Sequence, residues 1–101
     1  MPAYIVVEAV IRDMKKFVDY AAAVPALVTE MGGKYLVLGG ASEQLEGDWG
    51  DTRIVIHEWP TLAQAKAFWF SEAYTQLKAH RKGTGEFRVI LVDGRSEQVL
   101  E

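Results

Sequence analysis

The chain has 101 residues, half of them hydrophobic and a quarter charged, which suits one globular domain and leaves no room for a second. Its net charge of −3, from 11 basic and 14 acidic residues with no block of either sign, argues against a nucleic-acid partner, because phosphate binding needs clustered Lys and Arg. The absence of cysteine excludes disulfides, thiolate metal sites and a cysteine nucleophile, and no apolar run nears the roughly 20 residues that span a bilayer.

Ala3 to Ile11 is rich in Ile and Val and reads as a strand. With no basic region before it and no small-residue cleavage site, it does not read as a signal peptide, and a cytoplasmic location is expected. Asp13 suits an N-cap. Met14, Phe17, Val18, Ala21, Val24 and Val28 then recur on one helical face, predicting a helix to about Met31 that Pro25 kinks or breaks. Gly32 suits the left-handed position after a helix, and Lys34 to Leu38 is a short strand that Ala41 to Leu45 could continue past a bulge. Arg53 to Trp59 is a third strand, closed by Pro60. Thr61 and Gln64 have the spacing of a capping box, so a helix starts at Leu62. Ser71 is a fresh N-cap, which breaks or kinks that helix, and the continuation runs to Lys82. Gly83 and Gly85 end it before a fourth strand, Glu86 to Gly94.

This order is the βαββαβ pattern of the α+β, ferredoxin-like fold: a four-stranded antiparallel sheet with two helices, the second broken, on one face. One domain is expected over residues 1–94, with a tail at 95–101 that pairs across a dimer or stays disordered. The sheet is apolar on both sides: Ile5, Val7, Ala9 and Ile11 oppose Val6 and Val10, and Val89 and Leu91 oppose Ile90 and Val92. Helices cover only one side, so a homodimer is expected, its second subunit lying on the open face.

The first strand and helix, then "GGKYLVLGG" with "LEGDW" behind it, "RIVIHEWPTLAQAKAFW", "SEAYTQLKAHRKG" and "VILVDG" together resemble the small bacterial domain of unknown function DUF1330, over roughly residues 3–94. The commoner pattern is departed from at His57, Ala73 and Asp93. The resemblance implies membership of the dimeric α/β barrel superfamily, in which two ferredoxin-like monomers pair their sheets. That superfamily holds cofactor-free monooxygenases, muconolactone isomerases and haem enzymes, so it does not select a chemistry.

Candidate site residues cluster in and around "FWFSEAYTQLKAHR". Ser71 and His80 are nine residues apart, about 13 Å along a helix and half a turn out of phase, so they form no dyad. Ser71 reads as a cap and His80 as a solvated residue. Tyr74, Leu77, Lys78 and Arg81 share the inward face, where Tyr74 and Arg81 either pack or rim a pocket for a small acidic or carbonyl compound. The basic cluster Lys78, His80, Arg81 and Lys82 reads first as a helix C-terminus offsetting its dipole. His57 alternates onto the face of Arg53, Val55 and Trp59, where it is either a hydrogen-bonded structural histidine or a general base. Tyr4, Tyr20 and Trp69 are expected to line a pocket between sheet and helices, or to be core. Glu8, among apolar residues, is the candidate buried carboxylate, or else the partner of Arg88 or Arg53. Two histidines without paired spacing make a metal site improbable, and no cofactor is expected.

Two functions follow as expectations. The first is a small-molecule-binding homodimer whose pocket, if catalytic, makes it a cofactor-free oxygenase or isomerase of an aromatic or carbonyl compound, with His57 as base, Tyr74 as hydrogen-bond donor and Arg81 as anion clamp. The second is a non-catalytic interaction or regulatory module with a filled interior.

Overall fold

The computed structural model describes residues 2–94, so the tail expected at 95–101 lies outside the described residues. In chain order the elements are β1 (Ala3–Ile11), α1 (Met14–Glu30), β2 (Lys34–Leu38), β3 (Arg53–Trp59), α2 (Leu62–Trp69), α3 (Glu72–Ala79) and β4 (Gly85–Asp93). The strands form one sheet in the order β2-β3-β1-β4, antiparallel throughout, and the helices cover one of its faces. This is the expected α+β architecture. Among the described residues no helix is long and apolar enough to cross a membrane.

Local chemistry sets the helix boundaries. The Asp13 carboxylate accepts from the Lys16 backbone N–H at 3.1 Å, and Thr61 Oγ1 accepts from the Gln64 N–H at 3.1 Å. Ser71 does more than cap α3. Its hydroxyl accepts from the Tyr74 N–H at 3.1 Å and donates to the Phe68 carbonyl at 2.7 Å, so one side chain satisfies the end of α2 and the start of α3. The expected break at Ser71 is therefore two separate helices. At Pro25 no break occurs: α1 runs on to Glu30, losing only the hydrogen bond that a proline cannot donate.

Beyond Leu38 the strand does not continue. The Gly39 N–H makes the last bond to β3, at 2.9 Å to the Ile54 carbonyl, and Gly39 then takes a φ of 63° that turns the chain away. The bulge expected near residue 40 sits earlier, between Tyr35 and Val37. Ala41 to Leu45 belongs to a loop closed by its own bonds, among them Trp49 N–H to Gln44 Oε1 at 3.1 Å and Trp49 Nε1–H to the Glu46 carbonyl at 2.9 Å.

Strand alternation decides which side chains meet the helices. Ala3, Ile5, Val7 and Ala9 of β1 lie on the helix side with Val55, His57 and Trp59 of β3, and the register pairs Ile5 with His57 and Ala3 with Trp59. Ile5, Val24, Val28, Trp59, Ala65, Phe68 and Tyr74 form the buried core. The opposite face carries Tyr4, Val6, Ile54, Ile56, Ile90 and Val92 and is covered by no element among the described residues; Ile90 is 62% exposed. One departure concerns α1. Val24 and Val28 are buried as expected, but Met14 and Val18 are exposed: Met14 lies at the edge of a cavity instead of on the sheet, and Val18 is not among the residues that line it.

Trp59 is wholly buried, and Gly33 is what makes room for it: a Cβ at Gly33 would come within 2.7 Å of the indole. Gly33→Ala is expected to destabilise the fold by about 1–3 kcal/mol through overpacking. Gly40→Ala, where a Cβ meets nothing within 4 Å, is expected to be close to neutral. Urea denaturation of the two variants checks the contrast, and equal midpoints would contradict the packing argument.

Candidate functional site

The cavity under α1 has a volume of ≈ 270 Å³ and is bounded by the N-terminal half of α1, the inward face of α3 and the centre of the sheet. Its walls are mainly apolar, with Val7, Val55, Phe17, Val24, Phe68 and Phe87 among them. Its polar lining residues are Tyr20, Tyr35, His57, Tyr74, Arg53 and Arg81. No Asp or Glu lines it among the described residues.

His57 lies at its floor, 4% exposed, with Tyr35, Phe68 and Trp59 each edge-on to the imidazole at centroid distances of 5.4, 5.6 and 5.7 Å. The Trp59 Nε1–H donates to His57 Nδ1 at 2.7 Å. Two residues apart on one strand, these side chains share a face, so the bond is a direct consequence of β alternation. It also sets the protonation pattern. A neutral imidazole whose Nδ1 accepts carries its proton on Nε2. Every fully buried side-chain nitrogen and oxygen among the described residues has a partner; Nε2 has none among those residues, so it is not enclosed and opens onto the cavity that His57 lines. Burial lowers the His57 pKa to about 4, which keeps the ring neutral at physiological pH.

The tyrosines supply further polar tips. The Tyr20 and Tyr74 hydroxyls are 2.7 Å apart, joining α1 to α3 across the cavity. Burial is the main force raising the Tyr74 pKa, aided by Tyr20; the nearby Arg81 pulls the other way and loses. Burial pushes Tyr35 up to about 12. Tyr35 and Tyr74 so placed stay protonated near neutral pH. Arg81 sits beside aromatic rings, its guanidinium carbon 4.5 Å from the Phe87 centroid and 5.6 Å from that of Tyr20, while Lys78 Nζ is 4.6 Å from the Trp69 ring.

Of the residues singled out from the sequence, His57, Tyr74, Arg81, Tyr20 and Trp69 line this one cavity. Two do not. The register turns Tyr4 to the open face, opposite Glu58, whose carboxylate raises the Tyr4 pKa by hydrogen bonding. Glu8 is also on the open face, where Arg88 holds it at 2.7 Å, so it is an ion-paired carboxylate outside the cavity. Ser71 is a cap and His80 is exposed at the end of α3. Tyr35 was missed because its pairing with His57 depends on the bulge in β2. Trp59 was missed as a partner of His57, although their spacing was a usable signal.

A comparison with family models matches residues 2–95 to the domain of unknown function DUF1330. The chain belongs to the DUF1330 family. Among solved structures, the RPA0582 protein of unknown function from Rhodopseudomonas palustris superposes with a TM-score of 0.73 at 17% identity, covering 94% of this chain and 83% of that one. A methylated form of RPA0582 gives 0.74 at 17% identity over 95% and 82%. At that identity the likeness concerns the fold alone. None of the curated proteins matches the sequence.

One consequence of that geometry is measurable. Folded His57 takes its proton only near pH 4, whereas the unfolded chain takes it near 6.5. The unfolded state binds more protons in between, so this contribution is complete above about pH 6.5 and is lost as the pH falls towards 4, to a total of about 3 kcal/mol. His57→Asn keeps an acceptor for the indole and removes the titration. Urea midpoints between pH 6.5 and 4 are expected to fall less steeply for this variant than for the wild type, and parallel curves would exclude the effect.

Proposed function

We propose that this DUF1330 domain is the subunit of a homodimer that binds a small, largely apolar compound between its helices and its sheet. The observation that carries the reading is the cavity: apolar walls with a few converging polar tips are the composition of a ligand site, and a volume of ≈ 270 Å³ lies just below the roughly 300 Å³ at which sites for drug-sized ligands begin. A compound of about one ring suits it. A non-catalytic interaction module is the poorer reading, because a filled interior is expected of it.

The dimer rests on the uncovered sheet face. Val6, Ile56 and Ile90 are aligned across three strands, and all helices of the described chain lie on the other side. A patch of this kind is costly to leave in water, and an identical sheet is the simplest surface to cover it. The enzymatic form of the reading is cofactor-free oxygenation or isomerisation of an aromatic or carbonyl compound, with Tyr74 as hydrogen-bond donor and Arg81 as anion clamp. His57 fits the part of base poorly, since its Nδ1 lone pair is taken by Trp59 and its Nε2 bears the proton.

Native mass spectrometry of the protein purified from its own host, over a dilution series, tests both halves. A dimer carrying additional small-molecule mass is expected. Ile90→Asp, at a position exposed in the single chain, is expected to give monomers with an unchanged circular dichroism spectrum. A wild-type monomer at micromolar concentration would overturn the dimer, and bare chains that take up no apolar compound would overturn the binding role.

A further inference from the structure

The polar groups of the cavity are unequal in kind. A pair of phenols has two hydroxyl protons, and the bond between Tyr20 and Tyr74 uses only one. The other proton, the Tyr35 hydroxyl and His57 Nε2–H are three donors for which the described chain provides no acceptor in its hydrogen bonds. Two guanidiniums, Arg53 and Arg81, line the same space, and neither is in a salt bridge among the described residues, where the ion pairs are Arg12 with Glu86 and Arg88 with Glu8. The acceptor nitrogen of the imidazole, His57 Nδ1, is occupied by Trp59. A protein of net charge −3 thus places two cations and no carboxylate around its cavity.

We propose that this cavity is an anion site that takes a small monocarboxylate, or the enolate of a carbonyl compound, with an apolar body of about one ring. The inference rests on the ligand-binding reading above and names its ligand class. The apolar body lies against Phe17, Phe68 and Phe87, and the anionic oxygens are held by Arg81 and by the phenol and imidazole donors. Arg81 is suited to the clamp because its guanidinium already rests 4.5 Å from the Phe87 ring centroid, a contact that lowers the side-chain entropy still to be lost on binding. An amine is disfavoured on grounds of charge: it would bring a positive charge to two guanidiniums with no carboxylate among the described lining residues to offset it. Trp59 acts here as a positioning residue. Its hold on Nδ1 is what makes the imidazole a donor towards the ligand.

The test is isothermal titration calorimetry on the full chain with three compounds of one shape, phenylacetate, phenylacetamide and 2-phenylethylamine, with benzyl alcohol as a neutral reference. The carboxylate is expected to bind about tenfold more tightly than the amide, the worth of one charge-assisted hydrogen bond, and the amine not at all. Arg81→Met is expected to reduce the preference for carboxylate over amide to below about threefold, with an unchanged circular dichroism spectrum showing that the variant is folded; an undiminished preference in the folded variant would overturn the role of Arg81. Equal binding of amide and carboxylate, or any preference for the amine, would overturn the anion site while leaving the binding role in place. Failure of all four compounds, benzyl alcohol included, would overturn the binding role and the anion site with it.

Discussion

A buried indole and a buried imidazole solve each other's hydrogen-bonding problem on β3. An indole N–H without a partner in the core costs about 1–3 kcal/mol, and so does an unpaired imidazole nitrogen. The Trp59 to His57 bond at 2.7 Å removes both costs with two residues of one strand. Much of the molecule is arranged around it. Gly33 is bare so that the indole fits, and Phe68 of α2 packs on that ring at 4.8 Å. Phe68 in turn meets Tyr74 of α3 at 4.5 Å, and Tyr74 meets Tyr20 of α1 through their hydroxyls. A chain of aromatic contacts thus runs from the sheet through all three helices.

The same contacts explain why the interior is not filled. Aromatic rings meeting edge-on or tilted hold the layers apart at fixed distances, and flat rings leave gaps that aliphatic side chains would close. Ser71 contributes by ending α2 and starting α3 within one residue, so α3 takes its own direction and presents Tyr74 and Arg81 to the space beneath α1. Core and candidate site are one network here. The imidazole that satisfies the indole is also the group whose remaining proton faces the cavity.

Much of this was legible in the sequence. The bounds of β1, β2 and β3, the start of α2 and the cap at Ser71 followed from periodicity and capping, because such signals depend on residues a few positions apart. The face assignment of His57 and the inward stripe of Tyr74, Leu77, Lys78 and Arg81 followed for the same reason. The expected extension of β2 through Ala41 to Leu45 failed because Gly39 turns the chain and the loop closes on itself, which composition alone does not distinguish from a bulge. Tyr4 was misplaced although its parity was readable, since it alternates with Ile5 and so faces away from the helices.

What the sequence by itself determined was therefore the list of elements, the two-sided apolar sheet and the parity of each strand residue, all properties of short-range spacing. Only the tertiary structure decided which polar tips converge. Tyr20 and Tyr74 are 54 residues apart in the chain, so their pairing leaves no local trace, and for Glu8 the fold chose between a buried carboxylate and the expected alternative of pairing with Arg88, 80 residues away. The tautomer of His57 was likewise decided there, because the proton on an imidazole is assigned by its neighbour in space, and that neighbour is fixed only when Trp59 is packed.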